Sequence, residues 1–120
     1  MANSFENLPI FKEAHPLVLT IYKYTKLFPQ EEKFGLVSQL RRASSSIIAN
    51  IVEGNTRVHP KEVVNFLLIA KGSLEETKYF ILLSRDLGYI SQTEYESTAA
   101  QTEIVGRQLS GLLKYWKGKI

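Results

Sequence analysis

The chain has no cysteine, and its 120 residues include only seven glycines, four prolines and two histidines. Without thiols there can be no disulfide framework, thiolate metal site or cysteine nucleophile, a composition that suits a reducing cytoplasm. Scarce glycine and proline leave little turn punctuation, which favours a few long helices over many short strands. The richest apolar stretch, Val63 to Ala70, is too short to span a bilayer and is interrupted by Asn65. The opening Met1-Ala2-Asn3-Ser4-Phe5-Glu6-Asn7 lacks the basic start and apolar run of a secretion signal, so the expected location is cytoplasmic, away from any membrane. No block of one charge occurs either. Fifteen Lys and Arg against 12 Asp and Glu leave a formal +3, which permits an anionic partner without demanding one.

What is present is helical periodicity. Apolar or small residues recur alternately three and four places apart, as the seam of a left-handed bundle requires. The seams read Phe11, Ala14, Val18, Ile21, Thr25, Phe28; then Leu36, Leu40, Ala43, Ile47, Asn50, Gly54; then Val63, Leu67, Ala70, Leu74, Thr77, Ile81, Ser84; and last Tyr95, Thr98, Thr102, Val105, Leu109, Leu112, Trp116. Pro60 suits a first helical residue and Gly88 a helix stop, while Ser91 and Glu94 have the spacing of a capping box. Pro16 predicts a kink or a late start for the first helix. The connections near Pro29–Gly35, Asn55–His59 and Gly88–Gln92 are short, so sequential helices should be antiparallel neighbours. The expected fold is a single all-α domain over residues 1–120, an up-down-up-down antiparallel four-helix bundle.

With the helices placed, the chain resembles a known family. Gln39-Leu40-Arg41-Arg42-Ala43, Ser46 to Gly54 (Ser-Ile-Ile-Ala-Asn-Ile-Val-Glu-Gly) and Ala70-Lys71-Gly72-Ser73-Leu74-Glu75-Glu76 are similar to the four helix bundle protein family. That family includes proteins encoded in intervening sequences of bacterial 23S ribosomal RNA genes. Phe28-Pro29, Phe34-Gly35-Leu36 and the segment from Leu8 to Ala14 also fit its pattern, although Phe11 stands where the family often has Trp, and Pro16 departs from it. The resemblance implies a bundle, often a ring of five, and no enzymatic activity. It also implies kinship with the accessory protein of diversity-generating retroelements, for which nucleic-acid binding through a basic surface has been proposed.

The residues themselves point away from catalysis. Carboxylate-bridged metal bundles need Glu-x-x-His pairs, but Lys12 and Thr56 stand three places before His15 and His59. Neither histidine is expected beside Ser44-Ser45-Ser46, which read better as small residues that let helices approach. Lys71-Gly72-Ser73 lacks the glycine and strand of a phosphate loop. No catalytic residue, metal or cofactor is expected.

The polar residues of the second and third helices have a structural reading. Folding these helices about their connection sets Ala43 opposite Gly72, Arg42 near Ser73 and within a turn of Glu76, and Asn50 facing Val64 and Asn65. The expected cluster of Arg42, Asn50, Ser73 and Glu76 has two parts: a partly buried Arg42–Glu76 pair, with about 3 kcal/mol lost on removing one partner, and an Asn50 that fixes register. The other reading of this cluster is a ligand site.

Two surface expectations follow. Helix one carries Ile10, Leu17, Leu19, Tyr22, Tyr24 and Leu27 outside its seam, and helix three carries Val64, Phe66, Leu68, Ile69, Tyr79, Phe80, Leu82 and Leu83. With Gly106 and Ser110 on helix four, this surplus predicts self-association, a pentamer being the number the resemblance implies. The pole shared by both termini holds Lys12, Arg57, Lys61, Lys114, Lys117 and Lys119 against four glutamates. RNA or DNA binding is therefore expected at Arg57, Lys61, Lys114, Lys117 and Lys119. The alternative is a partner protein, with the bundle as a scaffold and the lysines only solubilising.

Overall fold

The computed structural model describes residues 4–120, so Met1-Ala2-Asn3 of the opening stretch lie outside the described residues. Four helices account for most of the chain: α1 (Pro9–Thr25), α2 (Leu36–Asn55), α3 (Pro60–Asp86) and α4 (Gln92–Lys117). Short 3-10 turns at Ser4–Asn7 and Gln30–Glu32 precede α1 and α2, and no strand occurs among the described residues. Each helix packs against its sequence neighbours, and α1 closes the bundle against α4. This is the expected up-down-up-down antiparallel arrangement, 45 Å long and 28 × 22 Å across. No helix is long and apolar enough to cross a membrane.

The local signals work as their chemistry predicts. Pro60 opens α3, and Gly88, at φ +78°, turns the chain out of it. At the start of α4 the Glu94 amide donates to Ser91 Oγ at 3.0 Å, and the Ser91 amide donates to Glu94 Oε1 at 2.8 Å. Pro16 does not delay α1, which begins at Pro9, and its ring stays exposed. At the far pole the Tyr89 hydroxyl donates to Glu32 Oε2 at 2.8 Å, tying the first connection to the third. That hydrogen bond to a carboxylate holds the phenol above its usual range.

Every residue of the α3 seam is buried, and every residue of the α2 seam except Asn50, which is half-buried. The outer helices differ from expectation. On α1, Ile10 and Leu17 are buried, whereas Phe11 is half-buried and stacks on His15 at 5.1 Å. On α4, Leu113 takes the core position in place of Leu112, and Trp116 is half-buried. A bundle helix buries a stripe wider than a two-position seam, so one neighbouring residue per turn enters or leaves according to how the helix is rotated. Hydroxyls in the core bond within their own helices: Thr25, Thr77, Ser84 and Thr98 each donate to the carbonyl four residues earlier, at 2.7–2.8 Å. No buried partner on another helix is required.

The α2–α3 pair forms the largest interface, and it runs further along α3 than the connection suggests. Ser46 meets Ser73 and Arg42 meets Glu76, while Gly72, expected opposite Ala43, faces open space. Helical side chains lean toward the helix N-terminus, so on each helix a given height is covered by a residue about one place further on. That lean moves the pairing in the observed direction. The close approach lies nearer the connection, at Gly54, where an added Cβ would stand 3.1 Å from Phe66 Cβ. Gly54→Ala should therefore destabilise the fold despite alanine's better helix propensity, because the atom it meets is rigidly tied to backbone. Gly72→Ala, exposed and meeting nothing within 4 Å, should stabilise it by about 0.5–1 kcal/mol. Urea denaturation of the two variants tests these opposite signs.

Candidate functional site

Two groups of polar residues were candidates, and the fold treats them differently. In the α2–α3 cluster, Arg42 reaches Glu76 at 3.5 Å, but the side chains are 58% and 49% exposed. The pair exists, yet it is a surface pair and not the partly buried one expected. Both side chains are long enough to leave the seam, and in water they do so. Arg42 also donates to Gln39 Oε1 at 2.9 Å.

Asn50 bonds to its own helix: Nδ2 donates to the Ser46 carbonyl at 2.8 Å and to Ser46 Oγ at 3.1 Å. The link across the seam is Ser46 to Ser73, hydroxyl to hydroxyl at 2.9 Å. Asn50 thus acts on register only through Ser46, a residue the sequence reading treated as mere small filler. Its position one turn before Asn50 was the available signal. The other serines of the triplet, Ser44 and Ser45, donate to the Arg41 carbonyl at 3.2 and 2.8 Å.

The second group lies where the start of α1, the end of α2, the start of α3 and the end of α4 converge. Arg57, Lys61, Lys114, Lys117 and Lys119 are all exposed at this pole. Arg57 is already engaged: it pairs with Glu53, and its guanidinium lies 5.0 Å from the Phe66 ring centroid. Lys119 Nζ stands 5.0 Å from the Tyr115 ring, which meets Trp116 edge-on at 5.3 Å. Lys61, Lys114 and Lys117 make no ion pair among the described residues.

Between these groups is a cleft of about 430 Å³, which sequence reasoning did not find. Ile51 and Asn55 of α2, Val63 and Leu67 of α3, and Leu112, Tyr115 and Trp116 of α4 line it, together with Leu8 and Arg57. One wall comes from the end of α2 and the start of α3, which adjoin in the chain, but Leu8 and the end of α4 come from far away in it, so no local motif announces the cleft. A second, apolar hollow of about 270 Å³ shares Leu8 and Leu112 with it and is bordered by Gln108 and Gly111. Among the described residues, no group of three or more His, Asp or Glu side chains is placed to hold a metal ion.

The comparisons with known proteins agree with this architecture. Residues 6–111 match the 23S rRNA-intervening sequence protein family. A protein of unknown function from the S23 ribosomal protein family of Bacteroides thetaiotaomicron superposes with a TM-score of 0.80 at 26% identity, over 88% of this chain and 98% of that one. No curated protein matches.

The exposure of Arg42 and Glu76 changes the expected energetics. Exposed ion pairs contribute roughly 0–1 kcal/mol because solvent screens them. A double-mutant cycle on Arg42→Ala and Glu76→Ala should therefore return a coupling below about 1 kcal/mol. A coupling near the 3 kcal/mol of a buried pair would contradict the exposed geometry.

Proposed function

Because this chain belongs to the 23S rRNA-intervening sequence protein family, we propose that it is a non-catalytic, homo-oligomeric bundle that associates with RNA through the pole where its termini meet. The observation that carries the reading is the group of lysines there, Lys61, Lys114 and Lys117, exposed and engaged by no carboxylate among the described residues, at the pole that also holds the Tyr115–Trp116 pair. Unpaired cations around aromatic rings suit a strand whose phosphates and bases are both accessible. The names of the matching family and of the solved relative both refer to the ribosome or its RNA. Such binding is salt-sensitive and tolerant of sequence, since lysine contacts phosphate as a point charge.

Self-association has its own support. Leu19, Ile69 and Tyr79 are each more than half exposed, and Leu68 is 43% exposed. Ile10, Leu17 and Val64, counted in the surplus from sequence, are buried within the protomer, so the unburied set is smaller than expected and lies mainly on α3. Gly106 adds to the case: an alanine Cβ there would meet Leu74 at an ordinary 3.5 Å. Packing within the protomer therefore does not require glycine at a mid-helix position that costs about 1 kcal/mol against alanine. Five copies, as in the ring the resemblance implies, would multiply the positive pole.

Changing Lys114, Lys117 and Lys119 together to Gln should weaken binding to single-stranded RNA and flatten its dependence on salt, with the oligomer unchanged. Fluorescence anisotropy across a salt series measures both quantities. If the unaltered protein binds neither RNA nor DNA at low salt, the nucleic-acid reading fails and a protein-binding scaffold takes its place. Light scattering at micromolar concentration should return a multiple of the 13.7 kDa chain mass. A monomer mass would remove the oligomer.

A further inference from the structure

We infer that the cleft at the terminal pole is a subsite for one unpaired adenine nucleotide. This rests on the nucleic-acid reading above but makes a separate claim: it gives the pole a place for a base as well as for phosphate.

Size, shape and lining chemistry carry the inference. The volume of about 430 Å³ lies within the roughly 300–1,000 Å³ usual for ligand pockets. Its walls are mostly aliphatic, which suits a planar ring lifted out of water, and Trp116 supplies a half-buried indole at one side. That indole packs against the core and so is held in place before any ligand arrives. Its N–H makes no hydrogen bond among the described residues. Asn55, the last residue of α2, presents a carboxamide that is likewise exposed and without a partner among the described residues. A carboxamide offers one donor and one acceptor side by side, and adenine answers with N7 as acceptor and its N6 amino group as donor. Guanine presents two acceptors on the same edge and cannot satisfy both groups.

The rim suits a phosphate. Arg57 lines the cleft, and although Glu53 and Phe66 hold its guanidinium, its five donors are not all used by one carboxylate. Lys117 follows Trp116 in the chain and makes no ion pair among the described residues. A long apolar chain with an acidic head would also meet a cation here, but it would leave the Asn55 carboxamide unanswered. A purine nucleotide can engage the ring face, the carboxamide and the cations together.

The test uses the only tryptophan of the chain. Titration of the full-length protein with adenosine monophosphate should quench Trp116 fluorescence saturably in the millimolar range or below. Ribose 5-phosphate, which has the charge but no base, should leave the emission unchanged. Inosine monophosphate lacks the N6 amino group and should bind about 5- to 100-fold more weakly, the penalty for losing such a bidentate contact. Asn55→Ala, at an exposed helix end, should weaken adenosine monophosphate by a similar factor and remove the preference over inosine monophosphate. A protein that merely lost stability would not lose that preference selectively.

The outcomes separate the two claims. If single-stranded oligoadenylate binds with salt sensitivity while neither it nor adenosine monophosphate alters Trp116 emission, the cleft is not a base subsite, and the lysine-based reading stands. If adenosine monophosphate quenches and no oligonucleotide binds, the cleft is a nucleotide site, and the nucleic-acid reading fails. Equal quenching by ribose 5-phosphate overturns the inference, because charge alone would then account for the signal.

Discussion

Small side chains where α2 meets α3 allow the two helices to lie close, and much of the molecule follows from that closeness. Gly54 sits against Phe66, and one hydroxyl pair, Ser46 and Ser73, spans the seam. Ala43 and Ala70 are fully buried and add little bulk. A tight central pair leaves α1 and α4 to cover the remaining face and to rotate until their wide apolar stripes are buried. That freedom is why Ile10, Leu17 and Leu113 enter the core while Phe11, Leu112 and Trp116 stay at its edge.

The same packing keeps chemistry out of the interior. Thr25, Thr77, Ser84 and Thr98 donate to carbonyls of their own helices, so each of these hydroxyls is satisfied before the helices assemble. Thr77, Ser84 and Thr98 wait for no partner on another helix, so a change of helix rotation costs less at these positions than a cross-helix hydrogen-bond network would exact. The groups available to a ligand accordingly lie at the ends and on the outer faces of the helices.

The sequence was most legible where one helix faces the core on both sides. The α3 seam is buried at every position read from its spacing, and the caps at Pro60, Gly88 and Ser91 follow from local backbone chemistry alone. Legibility fell where the outcome depends on side-chain direction. Arg42 and Glu76 do meet, but spacing could not show that both heads reach water. Asn50 was placed on the seam, yet only coordinates show its amide turned back to Ser46. The cleft was least legible of all, since Leu8 and the end of α4 come from far along the chain to meet the α2–α3 corner. Aromatic and basic residues near the C-terminus were visible in the sequence, but the hollow beside them was not.

The two poles show how differently charge is used at either end. At the far pole Glu32 accepts from Tyr89, Glu94 completes a cap, and Arg85 meets both Asp86 and the Tyr95 ring, so charges there hold connections together. At the terminal pole Lys114 and Lys117 lie in the last turn of α4, where the helix dipole favours cations and would explain them without a ligand. Lys61 has no such explanation. It lies in the first turn of α3, where the dipole disfavours a positive charge by about 0.3–1 kcal/mol, and no carboxylate among the described residues engages it. Positive charge at this pole is therefore kept at a site where it opposes helix stability as well as at sites where it assists. Helix stability accounts for the lysines of α4 and leaves Lys61 to the positive potential that the proposed RNA contact would use.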